Sequence, residues 1–319
     1  MQLVHGVDCQ PNGDNLSTTR SVADAIDQTY NASISTDPII PSMLSTEQIA
    51  NYHRDGYLVL PGFKNAAQIF DLRRRAGEIV NNFASENGAS IFSTRQQKTD
   101  DYFLRSDNTI RCFFEEEAFD AEGRLRQEKA LSINKIGHAL HDLDPVFDAF
   151  SRDPKLAAVA RDLGLREAQV WQSMYIFKQP GIGGEVRWHQ DATYFYTAPI
   201  TVTTFWFALE DATVDNGCLW VEPGGHRGPM RERFVRNGDD ICMETLDTTP
   251  WPDDSCAVPL EATAGSLVCF HGLLPHYSAP NRSPVSRHAY TLHATDARSD
   301  YSPQNWIQRD AGFPVRGFI

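Results

Sequence analysis

The chain has 319 residues, 41% of them hydrophobic and 22% charged, with a formal net charge of −13. That size fits one large globular core, and so acidic a surface disfavours non-specific contact with nucleic acid or anionic membranes. The six cysteines form no CxxC pair, and no apolar run reaches the roughly 18 residues of a membrane span, which argues against a disulfide framework and a transmembrane helix.

Residues 1–42 are mixed polar and read as a partly ordered N-terminal extension; the domain proper is expected over 43–319. The N-terminus has no basic region followed by an apolar core. Asp8, Asp14, Asp24 and Asp27 count against an import helix, and VRGFI does not match the terminal tripeptide of peroxisomal import, so a cytoplasmic location is expected. Ser45-Thr46-Glu47-Gln48 carries a capping box, and Ile49 and Tyr52 follow at helical spacing, so a helix is predicted to end at Gly56. Tyr57 to Leu60 reads as a strand stopped by Pro61-Gly62. A second helix is predicted over 66–84 on Ile69, Leu72, Ile79 and Val80, and 90–130 shows no clear period. ALSINKIGHALHDLDPVFDAFSRD reads as strand or loop, then helix from about Leu140. From Val170 the pattern changes to short aromatic and β-branched runs divided by Gly, Pro, Asp and Asn: VWQSMYIFKQ, TVTTFWFALEDA, CLWVEP, SLVCFHG and HAYTLHAT. Such a series predicts a barrel or sandwich. No GxGxxG or P-loop occurs, so a nucleotide-binding fold has no support.

One short stretch carries chemistry. In VRWHQD, His189 and Asp191 are two residues apart, a spacing that puts both on one face of a strand with Gln190 turned away. A third donor would complete a metal site. His276, just past SLVCFHGLLP, is the best candidate; His138, His141, His226, His271, His288 and His293 compete, with His271 the main rival. Two imidazoles and a carboxylate make the facial triad of non-haem iron(II) oxygenases, which leaves positions open for cosubstrate and O₂. Arg287, eleven residues after His276, offers the guanidinium fork that would hold the far carboxylate of 2-oxoglutarate. A zinc or manganese cupin-like enzyme would not need Arg287, and a non-catalytic jelly-roll module would show erosion at these four positions, which are intact.

The chain resembles the phytanoyl-CoA dioxygenase family of iron(II)- and 2-oxoglutarate-dependent oxygenases. The resemblance runs from about Met43 to the C-terminus and rests on DGYLVLPGF, EKALSINKIGHALH, QSMYIFKQPGIGGEV, HQDATYFYT, EDATVDNGCLWVEPGGH, HGLLPHYSAPNRS, RHAYTLH and PQNWIQ. It implies a mainly β fold, a double-stranded β-helix (a cupin-like jelly roll) with helices packed on one sheet. It also implies iron(II) on His189, Asp191 and His276, 2-oxoglutarate anchored by Arg287, and further cosubstrate contacts from Lys135, Met174, Gln190, Trp206 and Ser278. A small-molecule substrate of organic or acyl type, hydroxylated with O₂, is the implied partner. Arg187 and Trp188 are bulkier than their counterparts in the family and leave the mouth of the pocket open as the source of specificity. If the substrate carries a CoA 3′-phosphate, Arg231, Arg233 and Arg236 in MRERFVRN are a candidate basic patch.

Overall fold

In the computed structural model, residues 42–84, 90–91, 101–238, 240–253 and 255–319 are described. Apart from Ser42, the predicted extension 1–42 lies outside them. Helices α1 (Thr46–Asp55) and α2 (Ala66–Asn82) are followed by the short α3 (Asp101–Leu104), α4 (Leu140–Leu143), α5 (Pro145–Ser151) and α6 (Pro154–Asp162). The strands are β1 (Tyr57–Leu60), β2 (Ile110–Phe114), β3 (Ile133–His138), β4 (Ala168–Ile176), β5 (Val186–His189), β6 (Thr197–Ala198), β7 (Thr203–Ala208) and β8 (Leu219–Val221). Then come β9 (Glu232–Asn237), β10 (Asp240–Thr245), β11 (Val258–Leu260), β12 (Leu267–His271), β13 (His276–Ser278), β14 (Ala289–Asp296) and β15 (Asp300–Tyr301).

Local chemistry sets the first elements as the sequence indicates. Ser45 Oγ accepts from Gln48 N at 3.1 Å while Gln48 Oε1 accepts from Ser45 N at 2.8 Å, closing the capping box of α1. Gly56 ends that helix at φ 85°, a left-handed conformation that costs a residue with a Cβ, and its N–H donates to Tyr52 O. A second capping box, Asn65 with Gln68, starts α2, which stops at Asn82 rather than 84.

Two antiparallel sheets face each other. The larger has the order β1-β12-β7-β14-β4-β3-β2 and the smaller β11-β8-β13-β5. Alternation along β7 shows how the larger sheet divides its two faces. Phe205 and Phe207 point outward into a core shared with Leu72, Ala76 and Val80 of α2, Phe147 and Phe150 of α5, and Leu156 and Val159 of α6. Trp206 and Ala208 point inward to Val268, Phe270, Leu219 and Val221 between the sheets. Because helices cover one face and the second sheet the other, every residue of β7 and β14 is buried. The polar members of these strands, Thr204, Thr291 and His293 among them, lie on the face that lines the cavity between the sheets. The architecture is the expected jelly roll with helices on one sheet. No helix among the described residues is long and apolar enough to cross a membrane.

Several elements differ from the sequence reading. Residues 110–114 form β2 inside the stretch without visible period, and MRERFVRN contributes β9 of a hairpin with β10. In QPGIGGEV, glycine permits a close approach of two segments: a Cβ on Gly183 would lie 2.8 Å from Gln179 O and 2.9 Å from Asn281 Cβ.

Candidate active site

Strand pairing builds the centre of the site. β5 ends at His189 and β13 begins at His276, and the two are direct antiparallel partners, so their rings lie 4.1 Å apart. Asp191 arrives differently from the sequence expectation. The strand stops at His189, and Gln190 caps a 3₁₀ turn over Asp191–Thr193. The turn is held because Ala192 N donates to Gly272 O at 2.9 Å and Gly272 N to Val202 O at 2.7 Å. Nε2 of His189 and Nε2 of His276 stand 3.6 and 3.7 Å from Asp191 Oδ1, and the three donor atoms lie within 4.8 Å of one another.

Second contacts fix what each donor offers. His189 Nδ1 lies 2.8 Å from Arg187 O, and His276 Nδ1 lies 3.0 Å from Leu274 O. A carbonyl only accepts, so each Nδ1 carries the proton and each Nε2 presents a lone pair to the centre. The Thr204 hydroxyl donates to Asp191 Oδ2, which orients the carboxylate. Burial alone would raise the Asp191 carboxyl, but the imidazoles of His276, His293 and His189 outweigh it and hold it well below the usual range. Burial, with His189 beside it, pushes His276 down to about 4, so its ring is neutral near pH 7. A carboxylate and two imidazoles whose outer nitrogens are occupied are the donor set that a divalent iron requires, and the residues fit that ion.

The rival histidines are elsewhere or differently employed. His141 is bonded to Ser173 Oγ and Val170 O, His288 to the Tyr175 hydroxyl, and His271 packs on His226 with rings 5.4 Å apart. His138 and His293 do line the cavity, and His293 Nε2 faces the other oxygen of Asp191 at 3.5 Å.

The triad opens onto a cavity of about 740 Å³ between the two sheets. Arg287, 2% exposed, lies in its wall. Its Nε donates to Gly217 O at 3.0 Å and its Nη2 to Ser278 Oγ at 3.3 Å, and the guanidinium sits 5.4 Å from the Trp206 ring. Nη1 is buried with no hydrogen-bond partner among the described residues. Burial pulls the group down to about 10, so it stays charged near neutrality. A buried cation with an unmatched donor calls for an anionic ligand, and a terminal carboxylate fits it. Met174, Trp206, Ser278 and Lys135 all line the same cavity; Lys135 Nζ is 3.9 Å from Met174 Sδ, and burial holds its ammonium well below the usual value. Gln190 is the exception. Its Nε2 donates to Pro229 O and Leu273 O, its Oε1 accepts from Arg231 N, and its side chain is fully buried away from the cavity. It splints the loops behind the triad.

At the mouth, Arg187 is exposed and Trp188 packs on Tyr277 at 4.6 Å. The suggested basic patch does not form as a free phosphate site. Arg231 is 5% exposed and bonds Thr249 O and Pro250 O, Arg233 bonds Ser302 Oγ, and Arg236 bonds Gly238 O. Thr204 is a site residue that the sequence reading passed over, although it lies two positions before Trp206 and therefore on the same face of β7.

The family model described as phytanoyl-CoA dioxygenase (PhyH) matches residues 52–289. A protein named phytanoyl-CoA dioxygenase from Arabidopsis thaliana is 46% identical over 273 residues, spanning 85% of this chain and 95% of the relative. Phytanoyl-CoA dioxygenase domain-containing protein 1 from Bos taurus is 44% identical over 282 residues, spanning 85% and 97%. Among solved structures, the non-heme alpha ketoglutarate dependent carbocyclase SnoK superposes with a TM-score of 0.60 at 19% identity, covering 86% of this chain and 96% of its own. EctD from S. alaskensis with bound Fe gives 0.56 at 21%, covering 86% and 87%. At those identities the two structures speak for the fold.

Proposed function

The chain belongs to the phytanoyl-CoA dioxygenase family and is an iron(II)- and 2-oxoglutarate-dependent dioxygenase, and from that premise we propose a role for each side chain at its centre. His189, Asp191 and His276 hold the iron, and Arg287 holds the far carboxylate of 2-oxoglutarate. When bound, iron and 2-oxoglutarate together supply the activation of O₂, coupled to release of succinate and CO₂ and to oxidation of the substrate.

The chain's own residues prepare that chemistry. Arg187 O and Leu274 O keep the two imidazoles in the tautomer that donates through Nε2. Thr204 holds Oδ2 of Asp191 and leaves Oδ1 turned to both histidines. Ser278 and Gly217 O lock Arg287 in one rotamer, so that its free Nη1 stands ready for the carboxylate. Phe103, Phe113, Phe195, Trp206, Phe270 and Trp306 wall the cavity and exclude bulk water. The substrate is a small organic molecule, with Arg187 and Trp188 at the mouth as its first contacts.

The observation that carries this reading is the buried, unmatched Arg287 in the wall of the cavity that the triad opens onto. The test is succinate release from 2-oxoglutarate without added substrate, in wild type, Arg287→Ala and His276→Ala. Iron-dependent release that falls sharply in both variants is the expected result. Release indifferent to either substitution overturns the assignment.

A further inference from the structure

The cavity contains a second polar device that neither iron nor 2-oxoglutarate uses. His138 is fully buried and lines the cavity, and its Nε2 has no hydrogen-bond partner among the described residues. Its Nδ1 lies 2.7 Å from Ser106 Oγ, and the single Ser106 hydroxyl proton is donated to Phe103 O. Ser106 Oγ must therefore accept, so Nδ1 of His138 carries the ring proton and Nε2 presents a lone pair. Burial, with Lys135 nearby, holds the His138 imidazole well below its usual value, so the ring is neutral. His293, 4% exposed, lies in the same wall, with its Nε2 3.5 Å from Asp191 Oδ2. Aromatic rings enclose both: Trp306 stands edge-on to His138 at 5.1 Å, Phe103 does so at 5.4 Å, and Phe195 stacks on His293 at 4.9 Å.

A buried hydrogen-bond acceptor without a donor among the described residues, set in an aromatic enclosure, is costly unless a ligand supplies the donor. We infer that the inner end of the substrate carries an uncharged hydrogen-bond donor, a hydroxyl or a carboxamide, that binds His138 Nε2. This inference rests on the oxygenase reading of the same cavity and names its substrate class. The lone pair of His138 Nε2 repels a carboxylate, and the basic side chains of Lys135 and Arg287 in the same cavity disfavour an ammonium. His138 is thus a specificity residue: it selects the end of the substrate that enters first.

The test uses ¹⁵N-histidine-labelled protein loaded with zinc(II) and 2-oxoglutarate, titrated with two matched pairs of probes. Benzyl alcohol is compared with ethylbenzene, and benzamide with acetophenone, so that each pair differs in the donor and hardly in shape. The expected result is that each donor binds about tenfold tighter than its isostere and moves the His138 Nε2 resonance, which reads as unprotonated beforehand. His138→Phe should erase the difference within each pair and leave ethylbenzene affinity unchanged. Equal affinities within both pairs, a proton on His138 Nε2, or a water that stays on that nitrogen with benzyl alcohol bound would overturn the inference. If His138→Phe does not fold, the wild-type comparison decides alone. Succinate release without substrate, measured on the iron-loaded form of the same preparation, reports separately on the oxygenase reading.

Discussion

An Arg287→Met variant is predicted to lose 2-oxoglutarate while keeping its fold. In the ligand-free protein the guanidinium is buried, makes no ion pair among the described residues, and leaves Nη1 unmatched. Removing it strands little: Gly217 O still accepts from Ser278 Oγ at 2.9 Å, and methionine fills much of the space beside Trp206. Replacing a buried charge by a well-packed apolar side chain is often neutral or stabilising by about 1–4 kcal/mol. Unfolding of the metal-free variant in denaturant should thus show unchanged or higher stability. In the complex the same change truncates one partner of a buried, charge-assisted pair, at a cost of about 2–5 kcal/mol. That is a rise of about 30- to 4,000-fold in the Kd for 2-oxoglutarate, measured by calorimetry on manganese-loaded protein. Unchanged 2-oxoglutarate affinity, or a loss of several kcal/mol in the ligand-free fold, would refute the reasoning, because Arg287 would then serve the scaffold.

Thr204→Val removes the hydroxyl that orients Asp191; iron affinity, read by chelator competition, should fall about 10–100-fold and recover in Thr204→Ser, whereas equal affinities would contradict the role. Gly272→Ala places a Cβ 2.5 Å from Val202 Cβ and forces apart the turn that anchors Ala192. A stability loss of about 1–3 kcal/mol should come with weaker iron binding, and a loss of neither would show that the turn yields freely. Asp296 is held down to about 2 by its hydrogen bonds to Arg298, which exceed the opposing effect of burial. Its folded value is below the ordinary one, so its contribution of about 2 kcal/mol is present above pH 4 and lost as pH falls towards 2. Wild type should therefore lose more stability than Asp296→Asn across that window, and parallel acid-unfolding curves would contradict this.

Some of this was legible in the residues and some was not, for physical reasons. The capping box at Ser45 and the apolar strands at 203–208 and 267–271 are local signals, and they fold as read. Strand β13 is three residues long, and His276 pairs with His189, 87 positions earlier in the chain, so no local pattern marks it. For that reason the residue pattern left several histidines in competition with His276, and the family resemblance singled it out before the cross-strand partner was known. Alternation also misled within H-x-D itself. It predicted two side chains on one strand face, whereas the strand ends at His189 and the 3₁₀ turn carries Asp191 to the same point. Gln190 is buried against carbonyl groups 39 and 83 positions away, contacts that only the tertiary fold creates. The arginines of MRERFVRN resemble a basic patch until β9 pairs with β10 and their guanidinium groups find backbone carbonyls and the Ser302 hydroxyl.

The most direct test of the central claim is an anaerobic crystal structure with iron(II) and 2-oxoglutarate, the ion located by anomalous scattering. The account predicts one ion bonded to Nε2 of His189, Nε2 of His276 and the Asp191 carboxylate, with the far carboxylate of 2-oxoglutarate on Arg287 Nη1. An ion held by other residues, or a far carboxylate resting on Lys135 with Arg287 untouched, would contradict it.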